Sequence, residues 1–121
     1  MGTLSFEERV RQISEAFFGD EEHHRTSALL YNEMWLQAIR NPKLAPRYAE
    51  FYENMRQRVA ALIESEATRS GLILPADTNQ LAAAMLGMAD GLTMQQLADP
   101  NRLSPDTYAI ALQLMFGLHP R

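Results

Sequence analysis

Few residues of this chain could do chemistry, and their spacing limits what that chemistry is. His23 and His24 are adjacent, so on a helix their side chains point about 100° apart and cannot share a metal ion as an i, i+4 pair could. A solvated first helical turn is their expected place. His119 lies near the end of the sequence. The chain has no cysteine, which excludes a disulfide frame, a thiolate zinc site and cysteine catalysis. It also lacks a glycine-rich phosphate loop, a nucleophile set beside a base, and a convergent pair of acids. No enzyme, metal or cofactor is therefore expected.

Binding is the better prospect. Phe17, Phe18, Leu30, Tyr31, Met34, Trp35, Tyr48, Phe51, Tyr52 and Met55 form an aromatic and methionine set suited to a largely apolar cavity between helices. Such stripes are ordinary core in most helical proteins. Here the tyrosine hydroxyls, with Asn32, Gln37 and His24 within a few turns, add the few placed polar groups a small ligand needs. The expected ligand-binding residues are Phe17, Tyr31, Met34, Trp35, Tyr48, Phe51, Tyr52 and Met55, joined by Met88 from farther along the chain. Asp90, inside an apolar segment, belongs either at the edge of an interface or beside the pocket. The edge is favoured, because burying an unpaired carboxylate is costly.

The elements that must position these residues are helices. Phe6, Val10, Ile13 and Phe17 recur at four, three and four, one stripe of a helix over 5–18, with Ser5 and Glu8 as a capping box and Gly19 as a stop. Asp20 caps a second helix over 21–40 that is apolar on more than one side, so it is expected to be central. Asn41-Pro42 ends it, and Pro46 places a turn at 42–45 before a long helix over 46–70 that stops at Gly71. The short apolar segment "LILP" should fold back on the core. Asp77 and Gln80 start a helix over 78–98. Ser104-Pro105 starts the last, over 105–118. The reading is all-α: a five-helix, bundle-like single domain over 1–121, with no repeat and no alternating strand pattern.

"MLGMADGLTMQQLADP", residues 85–100, raises a question of its own. Gly87 and Gly91 each cost about 1 kcal/mol relative to alanine in a helix, and with Ala83 they repeat every four residues on one strip. A strip of that kind admits a close second backbone. Larger apolar residues fill the adjoining faces, so the helix has two sides to bury. Either the strip packs inside the chain, or the last two helices pair with those of a second copy as a twofold four-helix interface. The second choice gives a homodimer with Ala83, Gly87, Gly91, Met94, Tyr108, Ala111, Leu112 and Met115 at its interface.

Composition bounds the setting. The 121 residues are 46% hydrophobic and 21% charged, with 11 basic and 15 acidic side chains and a net charge of −4, which describes one globular domain rather than a disordered segment. The arginines are scattered among acids, so no nucleic-acid footprint is expected. No apolar run approaches the roughly 20 residues of a membrane span and the start lacks a signal-peptide core. A cytoplasmic protein, off the membrane, is expected.

The segment "WLQAIRNPKLAPRYAEFYENMRQRVAALIESEATRSGLILPADTNQLAAAMLGMADGLTMQQLADP" resembles the C-terminal effector-binding and dimerisation domain of tetracycline-repressor-type (TetR family) transcriptional regulators. The features that carry it are the aromatic helix with its R-N-P break, the long helix ending at glycine, the Asp-capped helix with "A-D-G-L-x-x-Q-x-L-x-D-P", and the short apolar last helix. Together they cover roughly residues 29–118. The resemblance implies a sensor for an apolar or amphipathic small molecule whose last two helices form the dimer interface. Family members carry about fifty residues of helix-turn-helix before this domain, and this sequence shows none of that pattern. The expectation is a fragment that does not bind operator DNA by itself; the alternative is a free-standing helical dimerisation module with no effector.

Overall fold

The computed structural model describes Ser5, Glu8, Arg9, Arg11, Gln12, residues 21–104 and residues 106–117, with the backbone alone for residues 21–24. Four helices account for most of them: α1 (Glu21–Arg40), α2 (Ala45–Ser70), α3 (Thr78–Ala98) and α4 (Thr107–Met115). No strand occurs among the described residues.

The helix boundaries follow from local chemistry. Asn41 ends α1 and organises the turn over residues 42–44: its Oδ1 accepts from the Lys43 amide at 3.0 Å, and its carbonyl accepts from the amides of Leu44 and Ala45, both at 2.9 Å. Helix α2 begins at Ala45, which puts Pro46 in the first turn, where no amide proton is required. At its other end Gly71 adopts φ 67°, and the amides of Gly71 and Leu72 donate to the carbonyls of Thr68 and Ala67. A side chain at that left-handed position would be strained. Asp77 then caps α3 by accepting from the amides of Asn79 at 3.1 Å and Gln80 at 3.4 Å.

The two ends of the chain differ from expectation in what can be said of them. Ser5 and Glu8 form the expected capping box, with the Ser5 amide 3.0 Å from Glu8 Oε2 and the Glu8 amide 3.2 Å from Ser5 Oγ. Glu8, Arg9, Arg11 and Gln12 are helical, and the other residues of the helix expected over 5–18, including Phe17, lie outside the described residues, as do Gly19 and Asp20. The last helix is shorter than the expected 105–118. Ser104 caps a turn through the Asp106 amide at 3.2 Å, so the helix starts only at Thr107. It ends at Met115, and Gly117 follows at φ 76°.

A single cluster joins α2, α3 and α4: Ala60 and Ile63 meet Leu81, Ala82, Met85 and Ala89, which meet Tyr108, Ala109, Leu112 and Phe116. Ala82 and Leu112 are wholly enclosed, at 0% exposure. Truncating Leu112 to alanine would cost about 2–5 kcal/mol. The buried Tyr108 hydroxyl donates to the Met85 carbonyl at 3.1 Å, and burial, aided by the negative charge of Asp90, pushes its pKa up to about 12. Leu72 and Leu74 of the apolar connection pack on this cluster, while Ile73 between them stands 91% exposed.

The expected order of burial is reversed for one helix. Among the described side chains of α1 only Ala28 and Ala38 are buried, and Leu29, Leu30, Met34, Leu36 and Ile39 are exposed. Helix α3, which meets α1, α2 and α4, is the central element instead. A wide apolar arc records how many neighbours a helix can accept, not how many it finds.

The Asp77 cap supplies a test of this frame. Asp77→Ala leaves two amides of the first turn of α3 without their acceptor, so it should cost about 1 kcal/mol and lower the melting temperature by a few degrees in thermal unfolding. An unchanged melting temperature would show that α3 does not start where the cap places it.

Candidate functional site

Three helices leave a cavity of about 350 Å³ lined by Tyr31, Asn32, Trp35 and Leu36 of α1, Tyr52 of α2, and Asp90 and Met94 of α3. The α1 residues fall at i, i+1, i+4 and i+5, one strip of a helix. Asp90 and Met94 are one turn apart on α3. Antiparallel packing of α2 and α3 brings Tyr52 to Asp90, and its register is held farther along by the Thr78 hydroxyl, which donates to Glu64 Oε1 at 2.9 Å. Helix α1 is fixed to the far end of α3 by Arg25, whose Nη1 donates to the Leu97 carbonyl at 3.2 Å. That contact places a cation at the negative end of the helix dipole.

A polar line crosses this largely apolar space. The Tyr31 hydroxyl donates to the Tyr52 hydroxyl at 2.7 Å, and Tyr52 donates to Asp90 Oδ2 at 3.3 Å. The first is a well-formed bond. The second is long for O–H···O, so the carboxylate is held loosely and keeps accepting capacity for something else. Among the described residues no cation pairs with it. Burial raises the pKa of Tyr31, and burial, the bond with Tyr31 and the nearby carboxylate raise that of Tyr52. Both phenols therefore remain neutral donors at any physiological pH. Asp90 is also shifted upward by desolvation, partly offset by the bond from Tyr52, although the residue as a whole keeps contact with solvent.

Of the expected ligand-binding residues, Tyr31, Trp35 and Tyr52 come together on the cavity wall. Tyr48 and Phe51 sit behind Tyr52, with ring centroids 6.0 Å apart for Tyr48 and Phe51 and 5.9 Å for Phe51 and Tyr52. They brace the wall without lining it. Met34 faces solvent, Met55 is half-buried away from the lining, and Met88 packs on the main core. Phe17 lies outside the described residues. Leu36 and Met94 line the cavity without having been expected there; the signal for both was helical spacing, one turn after Asn32 and one turn after Asp90. Asp90 stands at the pocket and accepts from Tyr52, so its carboxylate is not unpartnered.

The residues expected at a dimer interface divide differently. Ala83, Gly87 and Met94 are exposed and Gly91 is half-buried. Among the described residues, no side chain or neighbouring helix lies within 4 Å of the place a Cβ would take on Gly87 or Gly91. Packing against the described residues thus does not explain the strip. Tyr108 and Leu112 are buried within the chain itself, and Ala111 and Met115 are half-buried, Met115 against the core. The side of α4 left facing outward carries Ile110 and Leu114.

The cavity between the helices combines aromatic walls with one carboxylate, a largely apolar lining with few polar groups. Among the described residues no group of three His, Asp or Glu side chains could hold a metal ion, and no helix is long and apolar enough to cross a membrane. A family model, the C-terminal domain of BetI-type transcriptional repressors, matches residues 6–114, and the chain belongs to that family. It is thereby a C-terminal domain of the TetR type, a regulatory family and not an enzyme family. Comparison with curated proteins and with solved structures gives no match.

The raised pKa of Asp90 has a consequence for stability. A carboxylate with a raised pKa in the fold holds its proton more tightly there than in the unfolded chain, so stability falls as pH rises from the ordinary carboxylate value through the raised one. Above that window the folded chain carries a charge it disfavours. Asp90→Asn keeps an acceptor for Tyr52 and removes the charge, so it should raise the melting temperature slightly at pH 7. The gain should vanish as pH falls through the carboxylate range, and solvent contact keeps it small. A lower melting temperature at pH 7 would show that the charge is net stabilising.

Proposed function

We propose that this chain is the effector-sensing and dimerisation part of a transcriptional repressor, binding an apolar or amphipathic small molecule. The cavity carries the reading. Its volume lies in the range of small-molecule sites, Trp35, Leu36 and Met94 offer an apolar surface, and the loosely held Asp90 carboxylate calls for a ligand end that donates hydrogen bonds. An anionic end is disfavoured by the same carboxylate. Family membership supports the regulatory role.

Trp35 makes this measurable, since it lines the cavity and is the chain's single tryptophan. Compounds with an apolar body and a donor end should quench its fluorescence and raise the melting temperature by mass action, by an amount that grows with ligand concentration; carboxylate-bearing analogues should do so less. No quenching and no thermal shift across a broad panel of such compounds would favour a dimerisation module without an effector.

The second half of the reading is a homodimer through α3 and α4. Along Thr78–Ala98 the single charged residue is Asp90, and Thr107–Met115 has none, so besides Asp90 the exposed residues are small or apolar at Ala83, Ala84, Gly87, Met94, Ala98, Ile110 and Leu114 and amides at Asn79, Gln80 and Gln95. A second copy provides the missing cover, and Gly87 and Gly91 allow it to come close. Because a Cβ at Gly87 meets open space within the chain, Gly87→Ala should stabilise an isolated chain by up to about 1 kcal/mol through helix propensity. Gly87→Leu should leave the fold intact and yield monomers by light scattering, because its bulk forces the two backbones apart. An unaltered dimer would place the interface elsewhere.

A further inference from the structure

The polar line across the cavity can run in one direction. A carboxylate accepts and never donates, so the Tyr52 hydroxyl commits its single proton to Asp90 Oδ2 at 3.3 Å, and the Tyr31 hydroxyl, 2.7 Å from that of Tyr52, commits its own to Tyr52. Both phenol protons are then used within the wall, and what Tyr31, Tyr52 and Asp90 can still offer a bound molecule is lone pairs. The side-chain N–H donors of the lining, the Asn32 amide and the Trp35 indole, both stand on α1. Among the described residues no Lys, Arg or His side chain lines the cavity or pairs with Asp90. We infer that the cavity takes a protonated amine on an apolar body, with the ammonium N–H groups directed at Asp90 and the body laid against Trp35, Leu36 and Met94.

The inference rests on the effector-sensing reading and narrows it from any donor end to a cationic one that carries N–H groups. A hydrogen bond between ionised partners is about twice as strong as one between neutral groups, and the apolar surface of the cavity weakens the screening that water would supply. A neutral alcohol of the same size brings one proton and no charge. A quaternary ammonium brings the charge and no N–H, so it desolvates the lone pairs of Asp90 without giving them a donor, and an acceptor left that way is costly. Tyr52 cannot make up for it, because its one proton already lies on the carboxylate.

Four probes that share one apolar body separate these cases: phenylpropylamine, protonated at pH 7 as a lysine side chain is, phenylpropanol, trimethyl(phenylpropyl)ammonium and phenylbutanoate. Their affinities for the whole chain are measured at pH 7 by isothermal titration calorimetry, with the thermal shift at a fixed concentration as a second readout, on wild type and on Asp90→Asn. The variant keeps an acceptor for Tyr52, and its binding of phenylpropanol checks that the cavity is intact. In wild type the amine should bind about tenfold tighter than the alcohol, with the trimethyl compound weaker than the amine and phenylbutanoate weakest. In Asp90→Asn the advantage of the amine should disappear while the affinity for the alcohol is kept. An amine no tighter than the alcohol in wild type, which needs no variant to be seen, or an advantage that survives Asp90→Asn, overturns the cation and leaves the effector-sensing reading standing. A trimethyl compound as tight as the amine overturns the need for N–H groups. Binding of none of the four overturns this ligand class, whereas the effector-sensing reading falls with the broad panel of compounds followed through Trp35.

Discussion

The constraint on which this structure depends is the near absence of charge along α3. Over its 21 residues only Asp90 is ionisable, and the remainder are small, apolar or uncharged polar side chains. The apolar sides of such a helix cannot be left in water without loss. Helices α2 and α4 cover one part of it, and the small residues Ala82 and Ala89 let them approach closely enough for the dense packing of a protein interior. With α2 so placed, Tyr52 arrives beside Asp90. The cavity is what remains when α1, held by Arg25 at the end of α3 and by Tyr31 at Tyr52, spans the gap without filling it.

Asp90 shows how a carboxylate is tolerated on such a helix. Two phenols in series face it, and both have pKa values raised by burial, so they stay protonated near neutrality and act as donors throughout that range. The carboxylate gains one long bond and, among the described residues, no counter-ion, which is less than a buried charge requires. Its residual contact with solvent makes up the difference in the single chain. Any cover placed over that face removes this contact and makes the remaining accepting capacity of Asp90 more valuable to a donor in the cavity, because electrostatic interactions strengthen as water is excluded.

Local signals in the sequence were legible because they are local. The Ser5 and Glu8 box, the Asn41-Pro42 break, the Gly71 stop and the Asp77 cap each depend on a few neighbouring atoms, and the structure places them where the residues require. Tyr31, Trp35 and Tyr52 could be grouped because each repeats at helical spacing on an element that has to pack. What spacing could not give was the rotation of one helix against another. Met88 and Met94 both lie on α3 as large apolar residues, six positions apart, yet Met88 turns to the core and Met94 to the cavity. The centrality expected of 21–40 failed for a related reason: its apolar arc is real, but the helices that would cover Leu29, Leu30 and Ile39 are not supplied by α2, α3 or α4. Buried Glu66, paired with Arg69 at 2.6 Å and with Arg9 at 3.7 Å, went unread because a glutamate among polar neighbours gives no sign of its burial.

The uneven attachment of the cavity walls bears on how such a domain could respond to a ligand. Helices α2, α3 and α4 share the enclosed cluster, whereas among its described side chains α1 contributes only alanines to the buried set and meets the other helices through polar contacts that include Arg25 to the Leu97 carbonyl and Tyr31 to Tyr52. Regions with few buried apolar contacts are those that shift at least cost in free energy. A ligand moves an equilibrium only by the difference in its affinity for the two states, about 1.4 kcal/mol for each tenfold. A wall fixed by the main core would demand far more than a small molecule in a 350 Å³ cavity supplies. The wall carrying Tyr31, Asn32, Trp35 and Leu36 demands little, and it touches the ligand space with four of the seven lining residues. Contact with a bound small molecule and ease of displacement would therefore coincide on α1, while the other side of the cavity, Asp90 and Met94 on α3, is the side continuous with the face proposed to meet a second copy.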